Sequence, residues 1–222
     1  MLEAQGIRKE FIRQGKGTNR LVAVQDTDLT LGAGELTVLM GRSGSGKSTL
    51  LNMLAGLLAP TAGRILLDGE DLYAMEDRAL SRLRNARIGV IPQGQTALHS
   101  LTVRENILLP FALCGGKPDE AHLQSLCETL GIASLLEARP AELSGGELRR
   151  AAIARALVHR PSVVLADEPT GDLDDENTAT VFRLLRETAQ QGAAVLVVTH
   201  ETDAAQYADV LLRMDAGRLL QG

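Results

Sequence analysis

The chain has 222 residues, a net charge of −5, 45% hydrophobic and 2% aromatic residues, and no tryptophan. That length suits one α/β domain with room for an inserted subdomain, whose core is built from Leu, Val, Ile and Ala. The absence of a basic block argues against nucleic acid as the main partner, and no apolar run of the roughly 18 residues needed to cross a bilayer occurs.

In chain order, residues 1–6 lack the charged and apolar pattern of a signal peptide. Residues 21–41 read as two strands around a Gly32-Ala33-Gly34 turn, and residues 64–69 as a short strand ending in a turn. Residues 77–87 are polar and helix-prone, with Arg78, Arg82 and Arg84 expected in solvent. Residues 88–93 form a buried-strand candidate that stops at Pro92. From Thr102 to about Leu143 the pattern turns helical, over 103–113, 118–130 and 134–138, broken by Gly115-Gly116-Lys117-Pro118. This block is a candidate helical subdomain. A helix over 146–159, a strand over 162–168, a helix over 178–190 and a strand over 193–200 follow. A small strand pair around Asp215-Ala216-Gly217 closes the chain. Near-continuous apolar strands alternating with helices indicate a parallel sheet covered on both faces. Cys114 and Cys127 have no metal-ligand spacing and read as reduced, inert thiols.

The sharpest chemical signal is Gly41-Arg42-Ser43-Gly44-Ser45-Gly46-Lys47-Ser48-Thr49, a G-x-x-x-x-G-K-[ST] phosphate loop between a strand and a helix. Glycines let backbone N–H groups crowd around phosphate oxygens, and the following helix turns its positive end on the same anion. Lys47 can reach the β- and γ-phosphates, and the Ser48 hydroxyl can hold Mg²⁺. Asp167, at the end of an apolar strand, is placed to hold Mg²⁺ directly or through water, and Glu168 to polarise the attacking water as a general base. Leu143-Ser144-Gly145-Gly146-Glu147 opens a long helix. A capping box accounts for Ser144 and Glu147, but the paired glycines point to a second phosphate cradle. Gln93 ends a strand, where it reaches Mg²⁺ or the attacking water or is a surface residue. His200 ends another, where a satisfied core histidine is the ordinary expectation.

Taken in order, these motifs resemble the ATP-binding-cassette ATPase family over essentially the whole chain. Gln93 matches the family's Q-loop, Ser144, Gly145 and Gly146 its signature, Asp167 its Walker B aspartate and Glu168 its catalytic glutamate. Gly171-Asp172-Leu173-Asp174 matches its D-loop and His200 its switch histidine, while Phe11 matches the aromatic that stacks on adenine, more often Tyr. The resemblance implies one nucleotide-binding domain over 1–222: a P-loop parallel-sheet core, an N-terminal antiparallel β subdomain and a helical subdomain inserted at about 95–160. It implies a homodimer in which each ATP lies between one P-loop and the other subunit's Ser144, Gly145 and Gly146. Catalysis falls to Glu168, His200, Gln93 and Lys47. Nucleotide binding falls to Phe11, Gly41, Ser43, Gly44, Ser45, Gly46, Lys47, Ser48, Thr49, the signature residues and Asp174, and Mg²⁺ to Ser48, Gln93 and Asp167. It further implies a cytoplasmic location on the inner face of the cell membrane through an integral membrane permease. The contact with that permease is expected near Gln93 and residues 95–115. The finer resemblance, carried by residues 54–63 and 101–110, is to the lipoprotein-release, macrolide-export and cell-division type. A soluble cassette acting on ribosomes or DNA, an ATP-sensing module and a generic P-loop kinase are the competing readings; only the last leaves Ser144–Glu147 unexplained outright.

Overall fold

The structure, a computed structural model, describes residues 1–13 and 19–221. Two sheets and seven α-helices make up these residues. An antiparallel sheet has the order β2–β1–β4–β5, from β1 (Leu2–Arg13), β2 (Asn19–Leu31), β4 (Ala62–Leu67) and β5 (Glu70–Asp71). A six-stranded sheet has the order β10–β9–β3–β8–β7–β6. It is formed by β3 (Leu36–Met40), β6 (Ile88–Ile91), β7 (Val163–Asp167), β8 (Ala194–Thr199), β9 (Val210–Asp215) and β10 (Arg218–Gln221). All neighbours in it are parallel except the β9–β10 hairpin.

Side chains alternate across each central strand, and here both faces are apolar. Val38, Val164, Ala166, Val195 and Val197 point to one layer, while Leu39, Val163, Leu165, Leu196 and Val198 point to the other. The first layer is covered by α3 (Val103–Ile107), α5 (Glu120–Thr129), α6 (Gly145–Leu157) and α7 (Asp175–Gln190). The second is covered by α1 (Lys47–Leu54) and the antiparallel sheet, which adds Leu2, Ile7 and Ile65. α2 (Asp77–Arg87) lies beside the outer strand β6, and α4 (Leu109–Cys114) packs against α2.

The two strands expected over 21–41 form around the Gly32-Ala33-Gly34 turn, though in different sheets, and the turn is held by the Gly34 N–H on the Ala193 carbonyl at 3.0 Å, just before β8. Two expectations shift. The helix expected over 103–113 is two helices: α3 is opened by a Thr102/Glu105 capping box, and α4 starts afresh at Leu109 with Pro110 in its first turn, where proline costs nothing. Arg84 is half-buried rather than solvated, donating to the Gly56 carbonyl at 2.8 Å, whereas Arg78 and Arg82 are exposed. β1 is hard to read in sequence because a bulge between Ala4 and Ile7 breaks the alternation of its few buried residues.

Candidate active site in a cleft between the two sheets

The phosphate loop joins β3 to α1, and its glycines are needed individually. Gly46 has φ +107°, and a Cβ there would lie 2.2 Å from the Ala23 carbonyl oxygen; one on Gly41 would lie 2.3 Å from that of Met214. The loop is thus wedged between β2 and β9, and only glycine fits the two closest approaches. Ser45 turns inward and its carbonyl accepts the Gly217 N–H at 2.8 Å. Lys47 is buried, its ammonium donating to the Gly41 and Arg42 carbonyls at 2.6 and 3.1 Å. A cation stored against its own loop stands ready to exchange these carbonyls for phosphate oxygens.

Opposite the loop, β7 delivers two acids. Asp167 is buried, which pushes its carboxyl above the usual range, while the nearby Ser48 hydroxyl and the Lys47 and Arg149 charges pull the other way. Glu168 follows in the left-handed region, φ +48°, with its N–H on the Val198 carbonyl at 2.8 Å. That departure from strand geometry separates its side chain from that of Asp167. Its carboxylate accepts from Thr199 Oγ1 at 3.0 Å and meets His200 Nδ1 at 2.8 Å. His200 is not a core histidine, since its side chain is 70% exposed, and the bond to Glu168 holds its pKa above the ordinary value.

A cleft of about 780 Å³ gathers Phe11, Ser43, Gly44, Gly46, Lys47, Ser48, Thr49, Gln93, Asp167, Glu168 and His200. Gly41 and Ser45 lie in the same loop behind this lining. Phe11 is part of one wall, with the Lys9 ammonium 5.3 Å from its ring centroid. Leu21, Val22 and Ala23 of β2, Arg42, and Ala216 and Gly217 of the β9–β10 turn also line it. Apart from Arg42, which lies in the P-loop motif, their signal in the sequence is confined to the Asp215-Ala216-Gly217 turn, because they become wall residues only where the two sheets meet. The Gln25 side-chain amide donates to the Ala216 carbonyl at 2.9 Å across that seam.

Besides Gly41 and Ser45, four nominated residues from outside the P-loop do not line the cleft: Ser144, Gly145, Gly146 and Asp174. Ser144 caps α6 in a reciprocal box with Glu147, the Ser144 N–H on Glu147 Oε2 at 2.7 Å and the Glu147 N–H on Ser144 Oγ at 3.3 Å. Asp174 caps α7 through the Asn177 N–H at 2.8 Å. Arg149, which the sequence marks only as a basic residue after Glu147, ties these motifs together. Its guanidinium is buried, donating to the Pro92 carbonyl and, at 2.5 Å, to that of Gln93, with Asp172 at 4.0 Å. Burial lowers its pKa and the Asp172, Asp167 and Glu168 charges oppose that shift.

Strand–loop–helix phosphate cradle, buried lysine and two strand-end acids in one cleft define a P-loop nucleoside triphosphatase. Residues 24–171 match the family model described as ABC transporter. The lipoprotein-releasing system ATP-binding protein LolD of Anaeromyxobacter dehalogenans is 42% identical, covering 99% of this chain and 92% of that protein. The macrolide export ATP-binding/permease protein MacB of Marinobacter nauticus is 38% identical across 100% of this chain but only 34% of its own length. Among solved structures, the dimeric post-hydrolysis state of the ATP-binding cassette MJ0796 bound to ADP and Pi superposes with a TM-score of 0.90. It is 29% identical, over 100% of this chain and 98% of that one. The chain belongs to the ABC transporter family and is an ATP-hydrolysing component of it.

Proposed function

We propose that this ATPase works as a homodimer that closes on two ATP molecules and drives a membrane permease. One observation carries the reading: of the two stretches proposed to cradle phosphate, only one lines the protomer's own cleft. Gly41–Thr49 faces Asp167 and Glu168, while the N-terminus of α6 at Ser144, Gly145 and Gly146 is presented elsewhere on the surface. A second copy turned head to tail brings the latter onto the nucleotide of the former. The dimeric MJ0796 cassette with ADP and Pi supports this arrangement.

Within each site the P-loop amides and Lys47 take the β- and γ-phosphates, and Phe11 and β2 take the base. The partner's Ser144, Gly145 and Gly146 cover the γ-phosphate, and the Asp174 loop lies beside them. Ser48, Asp167 and Gln93 supply hard oxygen donors, the chemistry Mg²⁺ takes, and all three line the same cleft. Mg²⁺ there would neutralise charge on the phosphates. Glu168 accepts the proton of the attacking water as its oxygen bonds the γ-phosphorus and the bond to the ADP oxygen breaks. His200 holds Glu168 and reaches the same phosphate.

The permease joins at a groove of about 620 Å³ between α2, β6 and α4, where Leu57 and Leu113 stand 53% and 74% exposed beside Arg78 and Arg82. It shares Leu113 and Cys114 with the expected 95–115 stretch, and adds α2. Among the described residues no helix is long and apolar enough to cross a membrane, so we place the protein on the inner membrane face through that partner. LolD and MacB, by their names, serve lipoprotein release and macrolide export; release or export of this type is the activity proposed here.

The test is phosphate release by wild type and Glu168→Gln, followed by recovery of tagged Glu168→Gln from solubilised membranes with Mg-ATP. We expect the variant to lose turnover by at least about a hundredfold and to bring an integral membrane protein with it. Unchanged turnover, or only soluble partners, would overturn the reading.

A further inference from the structure

Thr199 ends β8, inside an otherwise apolar strand, with its side chain fully buried. A valine would fill the same volume without burying a hydroxyl, which is costly unless it is paired. The hydroxyl is paired twice. It donates to Glu168 Oε2 at 3.0 Å and accepts the Glu201 N–H at 3.1 Å. With an amide on one lone pair, its proton is aimed at the carboxylate instead of rotating among acceptors. The backbone beneath is held as well, by the Glu168 N–H on Val198 and by Thr170 Oγ1, which donates to Glu201 Oε2 at 2.8 Å and ties the loop after β7 to the loop after β8.

Glu168 therefore has two side-chain partners of different character. His200 contacts Oε1 from an exposed position, free to turn when nucleotide or a second protomer arrives. Thr199 contacts Oε2 from inside the core, where nothing is free to turn. We propose that Thr199 is a positioning residue for ATP hydrolysis, fixing Oε2 so that Oε1 is the oxygen presented to the attacking water. This rests on the reading of Glu168 as the general base. Holding a reacting group to within a fraction of an ångström is worth orders of magnitude in rate, and the buried hydroxyl, spent on Glu168 and the Glu201 N–H, acts through Glu168.

Thr199→Val removes the hydroxyl at constant volume, Thr199→Cys provides a second variant of similar size, and Thr199→Ser restores the donor. In steady-state ATP hydrolysis we expect Val and Cys to lower kcat about tenfold to a hundredfold with KM for ATP within about twofold, and Ser to return most of the rate. Thermal unfolding identifies a variant that has lost its fold, in which case the other is read. The inference is overturned if a folded Val or Cys variant keeps wild-type kcat, if KM rises in step with the loss, or if Ser fails to restore it. Glu168→Gln is run alongside. Should it turn over like wild type, the base assignment itself falls; should it be inactive while Thr199→Val is fully active, only the positioning role falls.

Discussion

At the scale of the residue, His200 and Glu168 form a pair whose pH behaviour has a definite sign. The bond to Glu168 raises the His200 pKa above its ordinary value near 6.5. The pair is therefore fully formed below the pKa of the unfolded chain and is lost as pH rises through the higher folded value. In Glu168→Gln, the His200 imidazole should titrate at lower pH than in wild type, as read by proton NMR; an unshifted curve would mean the pair is not formed in solution. The loop glycines give a second contrast. Gly44 has φ +77° with open space around it, so Gly44→Ala should cost only the backbone strain, about 1–2 kcal/mol. Gly46→Ala adds a collision with the Ala23 carbonyl and should cost clearly more in a denaturant melt. The P-loop motif requires glycine at 46 and leaves position 44 open, but the collision that makes Gly46 the costlier position lies in β2, which the motif does not contain.

At the scale of the element, α6, whose N-terminus is the proposed second phosphate cradle, is joined to the rest of the molecule through Arg149. Its forked donors end on the Pro92 and Gln93 carbonyls just past β6, with Asp172 close by, so one side chain of α6 fixes the segments carrying Gln93 and the loop before Asp174. Arg149→Ala leaves two carbonyls short of donors beside a void and should destabilise by about 2 kcal/mol or more. Arg149→Lys keeps the charge but cannot fork, and should recover only part of the loss. Urea unfolding of the two variants checks the order. Most elements were legible, because α2, β6, β7 and β8 carry strong apolar periods or start and stop signals. The bulged strand β1 and the break between α3 and α4 were not, since both follow from what the neighbouring elements require. Arg149 could not be assigned a role either; its meaning depends on carbonyls more than fifty residues away.

At the scale of the whole molecule, the division between the two cradles yields the sharpest prediction. A Cβ on Gly145 would meet nothing closer than the Gln95 amide nitrogen at 3.7 Å, an ordinary contact. Gly145→Ala should therefore leave the melting temperature of the protomer unchanged. It should nonetheless block dimerisation of the Glu168→Gln protein with ATP, because the partner's phosphate needs close approach to that backbone. Sedimentation with and without Mg-ATP distinguishes the cases, and a dimer that persists with Gly145→Ala would remove the cradle from the interface.

By itself the sequence determined the ligand class, the parallel sheet and the positions of Lys47, Asp167 and Glu168, because phosphate binding and strand-end chemistry demand particular residues at short, fixed spacings. Tertiary structure alone decided that Leu21, Val22 and Gly217 share a wall with the P-loop, that His200 is exposed on Glu168 rather than buried in the core, and that Thr199 and Arg149 support the site. Those contacts join segments separated by 30 to 200 residues, and their formation depends on how two sheets and seven helices pack, which no local spacing records.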